Sequence, residues 1–260
     1  MRFSTIYMKK KTTSLVLWWW WARWLAHIWV YKALTEKGVV FDEVVGTSMG
    51  AIVWAGIALW YTYEQIIQFR EDTKLRKIAD VRLGLPSMVY GAVYGEKFLH
   101  HLDVYTQWAD FKDTILPFRC VATCVDDSQT VVLENWNIAQ AVRASAGFPW
   151  VFASYTIWEK SYIDGCLWAN LPISFAKGER IIASTVRWPY LTFDESRNPL
   201  KQAESLFAIS LKLQEEKELL LTDAEMILIS PDVSRISTFD FTDTERVIEQ
   251  GYKKAIETIF

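Results

Sequence analysis

The sequence predicts an α/β fold, a mostly parallel central sheet flanked by helices, and three observations carry that expectation. Short apolar runs alternate with helical patterns over residues 13–59, the sign of a βαβ unit, whose crossover sets its strands parallel. Gly46-Thr47-Ser48-Met49-Gly50 reads G-x-S-x-G between an apolar run and a small-residue helix, the layout of a nucleophile elbow. Tyr162-Ile163-Asp164-Gly165 ends a strand in an acid followed by glycine, and α/β sites gather at the carboxyl ends of strands.

In chain order, Thr13 to Leu17 is the first strand, followed by a loop, Trp18-Trp19-Trp20-Trp21-Ala22-Arg23-Trp24. A helical pattern runs from Leu25 to Glu36, and Gly38 ends it, as glycine commonly does just past a helix. Phe41 to Val45 is a second strand feeding the elbow, and Ala51 to Leu59 continues as a buried helix. Gly46 and Gly50 supply the lack of bulk that lets strand and helix approach around a serine in strained backbone. Tyr63 to Asp72 is amphipathic, with Ile66, Ile67 and Phe69 against Glu64, Gln68 and Arg70. Gly84 to Gly95 is a loop and Glu96 to Leu102 a helix. Phe118 to Val125 and Gln129 to Leu133 pair across Asp126-Asp127-Ser128, and Asn137 caps a helix from Ile138 to Ala146. Arg180 to Val186 is a further central strand, Leu200 to Leu220 a long helix, Glu225 to Ser230 a strand and Asp243 to Ile259 a closing helix. No repeat or low-complexity linker divides the chain, so residues 12–260 are read as one domain and residues 1–11 as a disordered leader.

Composition narrows the function. The 260 residues are 51% hydrophobic and 23% charged, with a net charge of -3, so nothing electrostatic points to nucleic acid as a partner. Three cysteines, Cys120, Cys124 and Cys166, make no disulfide framework and fit a reducing compartment. Cys120 and Cys124 share a strand face without a histidine pair to complete a zinc site. Arg23 and His27 interrupt the apolar stretch after Lys9-Lys10-Lys11, which argues against a secretion signal or a membrane span. Cytoplasmic placement, with transient contact to a membrane surface, is the expectation.

A serine nucleophile needs a base, and the histidines decide which. Only His27, His100 and His101 exist, and none follows Asp164, so the order serine, acid, histidine of α/β-hydrolases is unavailable. His100 and His101 fall in a charged helix and read as a solvated face, while His27 reads as a packed or hydrogen-bonded side chain. A serine enzyme with this sequence uses a carboxylate directly, and Asp164 is the candidate.

These residues resemble the bacterial patatin-like phospholipases, serine lipid acyl hydrolases, from about Thr12 onward. Gly46-Thr47-Ser48-Met49-Gly50 is similar to the nucleophile motif, and Asp164-Gly165-Cys166 with Asn170-Leu171-Pro172 to the acid motif. Leu116-Pro117-Phe118 with Val121-Ala122-Thr123 is similar to the middle strand, Gln140 to Ala146 to the helix before the acid, and Pro231-Asp232-Val233 with Asp240-Phe241 to the ending. The resemblance implies a patatin-like three-layer sandwich and a Ser48–Asp164 dyad with neither metal nor cofactor. It also implies a phospholipid or other acyl-ester substrate and an oxyanion loop of glycines after the first strand. An aspartate of pKa ~3.9 is a weak base at neutral pH, so burial has to raise it.

The oxyanion loop is where the sequence departs. Trp18, Trp19, Trp20, Trp21 and Trp24 occupy the glycine positions while Ala22 and Arg23 remain, and Trp29 and Trp150 also stand where the family carries glycine. So selective a replacement points to a patatin-like parent with glycines exchanged for tryptophan. Its expected consequence is a recognisable fold with severely reduced hydrolysis. The rival expectation is an inert patatin-like fold that binds lipid or a membrane surface, where indoles are at home.

Overall fold

The protein is described by a computed structural model covering residues 11–18, 25–72, 78–81, 91–149, 151–186, 198–233 and 244–260. Its spine is a run of five parallel strands, in the order β3 (Phe118–Cys124), β2 (Glu43–Thr47), β1 (Thr13–Trp18), β7 (Arg180–Thr185) and β8 (Glu225–Ile229). Strands buried on both faces read as continuous apolar runs rather than alternating ones, and Leu15, Val16, Leu17, Val44 and Val45 are all fully buried.

Alternation along each strand sorts these side chains into two cores. Leu15, Leu17 and Val44 join Leu34 of α1 (Leu25–Glu36), Ile52 of α2 (Met49–Ala58) and Val247 of the closing helix Thr244–Ile259. On the other face, Val16, Val45 and Val121 join Leu171, Ile173 and Leu211, the last from the long helix Pro199–Leu220. The result is three layers. The closing helix lies so near α1 that a Cβ on Gly251 would stand 2.3 Å from the Ala26 carbonyl oxygen.

Strand β3 explains how the site is assembled. Along one edge it pairs antiparallel with β4 (Gln129–Leu133), from Cys120 opposite Leu133 to Cys124 opposite Gln129. On the other edge β2 covers Phe118 to Val121, ending at Thr47 opposite Val121. There β2 leaves the sheet, and β6 (Lys160–Asp164) takes the same edge from the next residue, with Asp164 opposite Ala122. The last residue of β2 and the last residue of β6 therefore meet head to head. β5 (Tyr155–Ile157) completes a hairpin with β6.

Several boundaries differ from the sequence expectation. β2 runs Glu43–Thr47 instead of Phe41–Val45, because Gly46 is held between Leu17 of β1 and Cys120 of β3, and Thr47 pairs with Val121 of β3. Phe41 buries its ring against Tyr31 without joining the sheet. The helix after the elbow starts at Met49, not Ala51. The next helices are α3 (Tyr63–Asp72), at its expected bounds, and α4 (Glu96–Thr106), longer than expected because Tyr105 and Thr106 add buried residues. α5 (Ile138–Ser145) is capped by Asn137, whose side chain accepts the Gln140 N–H at 2.9 Å. β5 and the short helix α6 (Cys166–Ala169) were not foreseen. In chain order the long and closing helices are α7 and α8.

Candidate active site

Ser48 stands between β2 and α2 at φ 58°, ψ −127°. A non-glycine residue at positive φ is strained, and such strain persists where the surroundings over-determine it. Here the surroundings are explicit. A Cβ on Gly46 would come within 2.9 Å of the Ala51 nitrogen, and one on Gly50 within 2.8 Å of the Leu17 carbonyl oxygen. Strand, turn and helix close this tightly only because both positions are glycine. The turn leaves Ser48 beside the first N–H groups of α2, starting with that of Met49, which have no acceptor within the helix and carry its positive dipole end.

The Ser48 hydroxyl donates to Asp164 Oδ2 at 2.6 Å. The other carboxylate oxygen, Oδ1, accepts the Cys166 N–H at 2.9 Å, so the acid is held from both sides. Gly165 permits that bend, since a Cβ there would lie 2.6 Å from the Val121 carbonyl oxygen. Asp164 is wholly buried. Burial raises its pKa from 3.8 to about 6, against the lowering effect of the hydrogen bonds from Ser48 and Cys166. At neutral pH the carboxyl is mostly ionised and far more basic than an exposed aspartate. Burial also pushes the Cys166 thiol well up and Cys120 up to about 12, which leaves neither as a thiolate nucleophile.

A second serine sets the elbow. Ser145, at the end of α5, accepts the Ser48 N–H on its Oγ at 2.8 Å and donates to the Val121 carbonyl at 2.5 Å. The turn is thereby tied to β3. Thr47 Oγ1 donates to the Ala169 carbonyl at 2.8 Å, binding the elbow to α6. Asn170 donates from Nδ2 to the Leu211 carbonyl at 2.9 Å and accepts the Leu171 N–H, which joins the acid motif to α7. Arg143, buried, donates to the carbonyls of Tyr94, Gly95 and Ala153. Ser145 and Arg143 lie in the stretch that carried the resemblance, but sequence alone gave them no role.

The histidines divide. His27 is buried with Nδ1 2.8 Å from Ser184 Oγ, and His100 is exposed. His101 corrects the reading of a solvated face: it is half-buried, with its ring 5.3 Å from that of Phe69. It sits one residue from His100, which turns it about 100° around α4 toward α3. Among the described residues no group of three or more His, Cys, Asp or Glu side chains could hold a metal ion. No helix among them is long and apolar enough to cross a membrane. A cavity of about 520 Å³ lies at the opposite end of the sheet, lined by Ser14, Glu43, Arg119 and Lys177 among others, away from Ser48. Trp19, Trp20, Trp21, Arg23 and Trp24, with Trp150 and Asp240-Phe241, lie outside the described residues.

Known proteins are similar to this chain in sequence and in fold. The family model described as patatin-like phospholipase matches residues 22–177. An uncharacterized NTE family protein of Mycobacterium tuberculosis (strain ATCC 25618 / H37Rv) is 26% identical over 270 residues, covering 88% of this chain and 43% of that protein. Lysophospholipase NTE1 of Pyricularia oryzae is 23% identical over 264 residues, covering 91% of this chain and 18% of its own length. The chain thus spans less than half the length of these curated relatives. The crystal structure of VipD from Legionella pneumophila is similar in fold, with a TM-score of 0.56 at 12% identity, over 96% of this chain and 67% of that one. More than half of the chain lies within the family match, and the chain belongs to the patatin-like phospholipase family.

Proposed function

We propose that the chain is a serine hydrolase of lipid acyl esters, acting through Ser48 and Asp164 within a single domain of residues 12–260. The observation that carries this reading is the 2.6 Å hydrogen bond from a strained serine to a buried carboxylate whose pKa lies near 6. As Ser48 Oγ bonds the ester carbonyl carbon, its proton passes to Asp164 Oδ2. When the tetrahedral adduct collapses, that proton leaves with the alcohol. Water then attacks the acyl-enzyme, Asp164 takes its proton, and Ser48 is regenerated as the fatty acid departs. Ser145 acts through the Ser48 N–H, as a positioning residue. Family membership and the lysophospholipase named among the relatives support a lipid ester as substrate, met at a membrane surface from the cytoplasmic side.

Oxyanion stabilisation is the weak part of this chain. The stretch from Trp18, which ends β1 opposite Thr185 instead of opening the loop, through Trp21, Ala22, Arg23 and Trp24 is where backbone N–H groups would converge on the developing charge. Loss of one such donor typically costs ~10²–10³ in kcat, so turnover is expected to fall at least that far below a glycine-bearing loop. A fluorophosphonate probe tests the dyad, because it labels a serine only when the serine is activated. Labelling at Ser48, lost in Ser48→Ala and Asp164→Asn, is the expected result. Silence at Ser48, both in this chain and in one carrying glycine at 18–21 and 24, ends the hydrolase reading. The tryptophans favour the second reading, an inert lipid-surface binder. That reading requires Ser48→Ala to float with liposomes as well as the unaltered chain while neither is labelled.

A further inference from the structure

Tryptophan occupies backbone positions in this protein that bulky side chains avoid. Eight of the fourteen tryptophans have a described backbone, and four of those, Trp60, Trp108, Trp136 and Trp158, sit at φ between 44° and 66°. Among the described residues every other non-glycine type together supplies four more, Ser48, Gln107, Ser128 and Glu159, and glycine itself supplies three. A few per cent of non-glycine residues adopt positive φ, and a bulky one is an outlier, because its Cβ crowds the following carbonyl oxygen. Half of the described tryptophans falling there cannot be scatter.

The local motifs ask for glycine as well. At the end of α2, Tyr61 N–H bonds the Gly56 carbonyl and Trp60 N–H that of Ile57. These are the paired bonds of a Schellman motif, and Trp60 holds the place usually taken by glycine. At the end of α4, Trp108 N–H bonds the Asp103 carbonyl at 3.0 Å and Gln107 N–H that of Val104 at 3.3 Å, the same paired bonds. There Gln107 holds the place of glycine and Trp108 follows it, also at positive φ. Trp158 and Glu159 are the two residues between Ile157 and Lys160 of the β5–β6 hairpin, both at positive φ, a turn that favours glycine and asparagine. The indoles return little packing for this strain: Trp60 is 76% exposed, Trp108 62% and Trp158 73%. The ring 4.3 Å from that of Trp158 is Trp136, another member of the same set.

Two independent signals thus converge. Backbone geometry marks four tryptophans as occupants of glycine sites, and motif register marks Trp18 to Trp21 and Trp24 the same way. We infer that these are glycine positions of the working protein, written in its gene with one codon that the source cell reads as glycine. UGA has the required property. It is a stop codon in the standard code, and the codes that reassign it include ones that read it as tryptophan and ones that read it as glycine, whereas GGN codons mean glycine throughout. A gene mixing both kinds of codon, with UGA read as tryptophan, yields a chain that keeps some glycines and shows tryptophan at the rest. Eleven glycines beside fourteen tryptophans fit that outcome. The oxyanion loop then regains four consecutive glycines, Ala22, Arg23 and a fifth glycine.

Peptide mass spectrometry on the protein from its source cells reads residues 60, 108, 136 and 158 directly. Glycine is expected, from UGA codons in the gene; tryptophan at these positions, or UGG codons, overturns the inference. In the recombinant chain, Trp60→Gly, Trp108→Gly and Trp158→Gly are each expected to raise the unfolding midpoint by about 2–4 °C. A fall at all three would count against glycine sites. Placing glycine at 18–21 and 24 should raise fluorophosphonate labelling at least ~10²-fold, an arm that rests on the hydrolase reading. Glycine in the native peptides with Ser48 unlabelled in both chains refutes the hydrolase and leaves the residue assignment standing. Tryptophan in the peptides refutes the assignment whatever the labelling does.

Discussion

Strand β2 has a buried serine–carboxylate hydrogen bond at each of its ends. At the amino end Ser14 Oγ donates to Glu43 Oε1 at 2.5 Å, and at the carboxyl end Ser48 Oγ donates to Asp164 Oδ2 at 2.6 Å. The chemical groups match, but the surroundings do not. Ser14 lies inside β1, flanked by β2 and β7, and its hydroxyl also accepts the Gly178 N–H at 2.7 Å. Glu43 Oε1 in turn accepts the Lys177 N–H. That pair fastens the turn before β7 to the sheet, with one lone pair of Ser14 committed to the Gly178 N–H. Ser48 lies outside the strand, at positive φ, and among the described residues its hydroxyl makes no bond besides the one to Asp164. A nucleophile needs a lone pair to give and a base to take its proton. At the carboxyl end of β2, among the described residues, no N–H is bonded to the serine hydroxyl, which is what the proposed role of Ser48 requires.

The contrast is broken most sharply by exchanging the two serines' fates. Ser48→Ala should abolish fluorophosphonate labelling. Ser14→Ala should leave labelling intact while costing ~1–3 kcal/mol in denaturant unfolding, because the Gly178 N–H and Glu43 lose a buried partner. Labelling that survives Ser48→Ala and disappears in Ser14→Ala would reverse the assignment of the two ends.

Next in size is the effect of the acid. The folded pKa of Asp164, about 6, lies above its unfolded value, so the fold favours the protonated carboxyl. Its contribution to stability is fully present below the unfolded pKa and is lost as pH rises through about 6. Asp164→Asn should therefore abolish labelling yet stabilise the protein at pH ~7.5, by up to ~3 kcal/mol, with the gain fading toward pH ~4. Denaturant melts of both proteins across that range check this; a variant less stable at neutral pH contradicts it. In the unaltered chain the labelling rate should climb through about pH 6 and then level as Asp164 ionises. A climb centred near pH ~4 would mean that the carboxyl is not acting from a buried state.

Both halves of the candidate site, Ser48 and the Asp164 it meets, were legible because each carries a local signature. Gly46 and Gly50 must lack a Cβ for the elbow to close, and Gly165 must lack one to pass Val121, so the chemistry leaves a mark in sequence. What joins the halves leaves no such mark. That Thr47 faces Val121 while Asp164 faces Ala122 is a matter of strand register, and Ser145 bridges to Val121 only once that register exists. The same limit hid β5, since Trp158-Glu159 carries none of the turn chemistry that announces a hairpin. β2 was placed two residues early because Gly46 and Thr47 are poor markers of a strand that its neighbours impose.

Ser145 offers the finest division between the two ends of β2, because it touches the elbow and not the acid. Its hydroxyl accepts the Ser48 N–H and donates to Val121, whereas Asp164 takes its hydrogen bonds from Ser48 and Cys166. Ser145→Ala removes one ordinary hydrogen bond to the backbone of Ser48, the proposed nucleophile, worth about 0.5–1.5 kcal/mol. The labelling rate should fall ~3–10-fold if that energy is spent wholly on holding Ser48 in place. The pH at which labelling rises should not move, since neither the burial nor the donors of Asp164 change. Ser145→Thr, which keeps the hydroxyl, should recover most of the rate. A shift in the pH midpoint would mean that Ser145 works through the carboxylate after all, and would make the carboxyl end of β2 one coupled network in place of a serine and a base positioned separately.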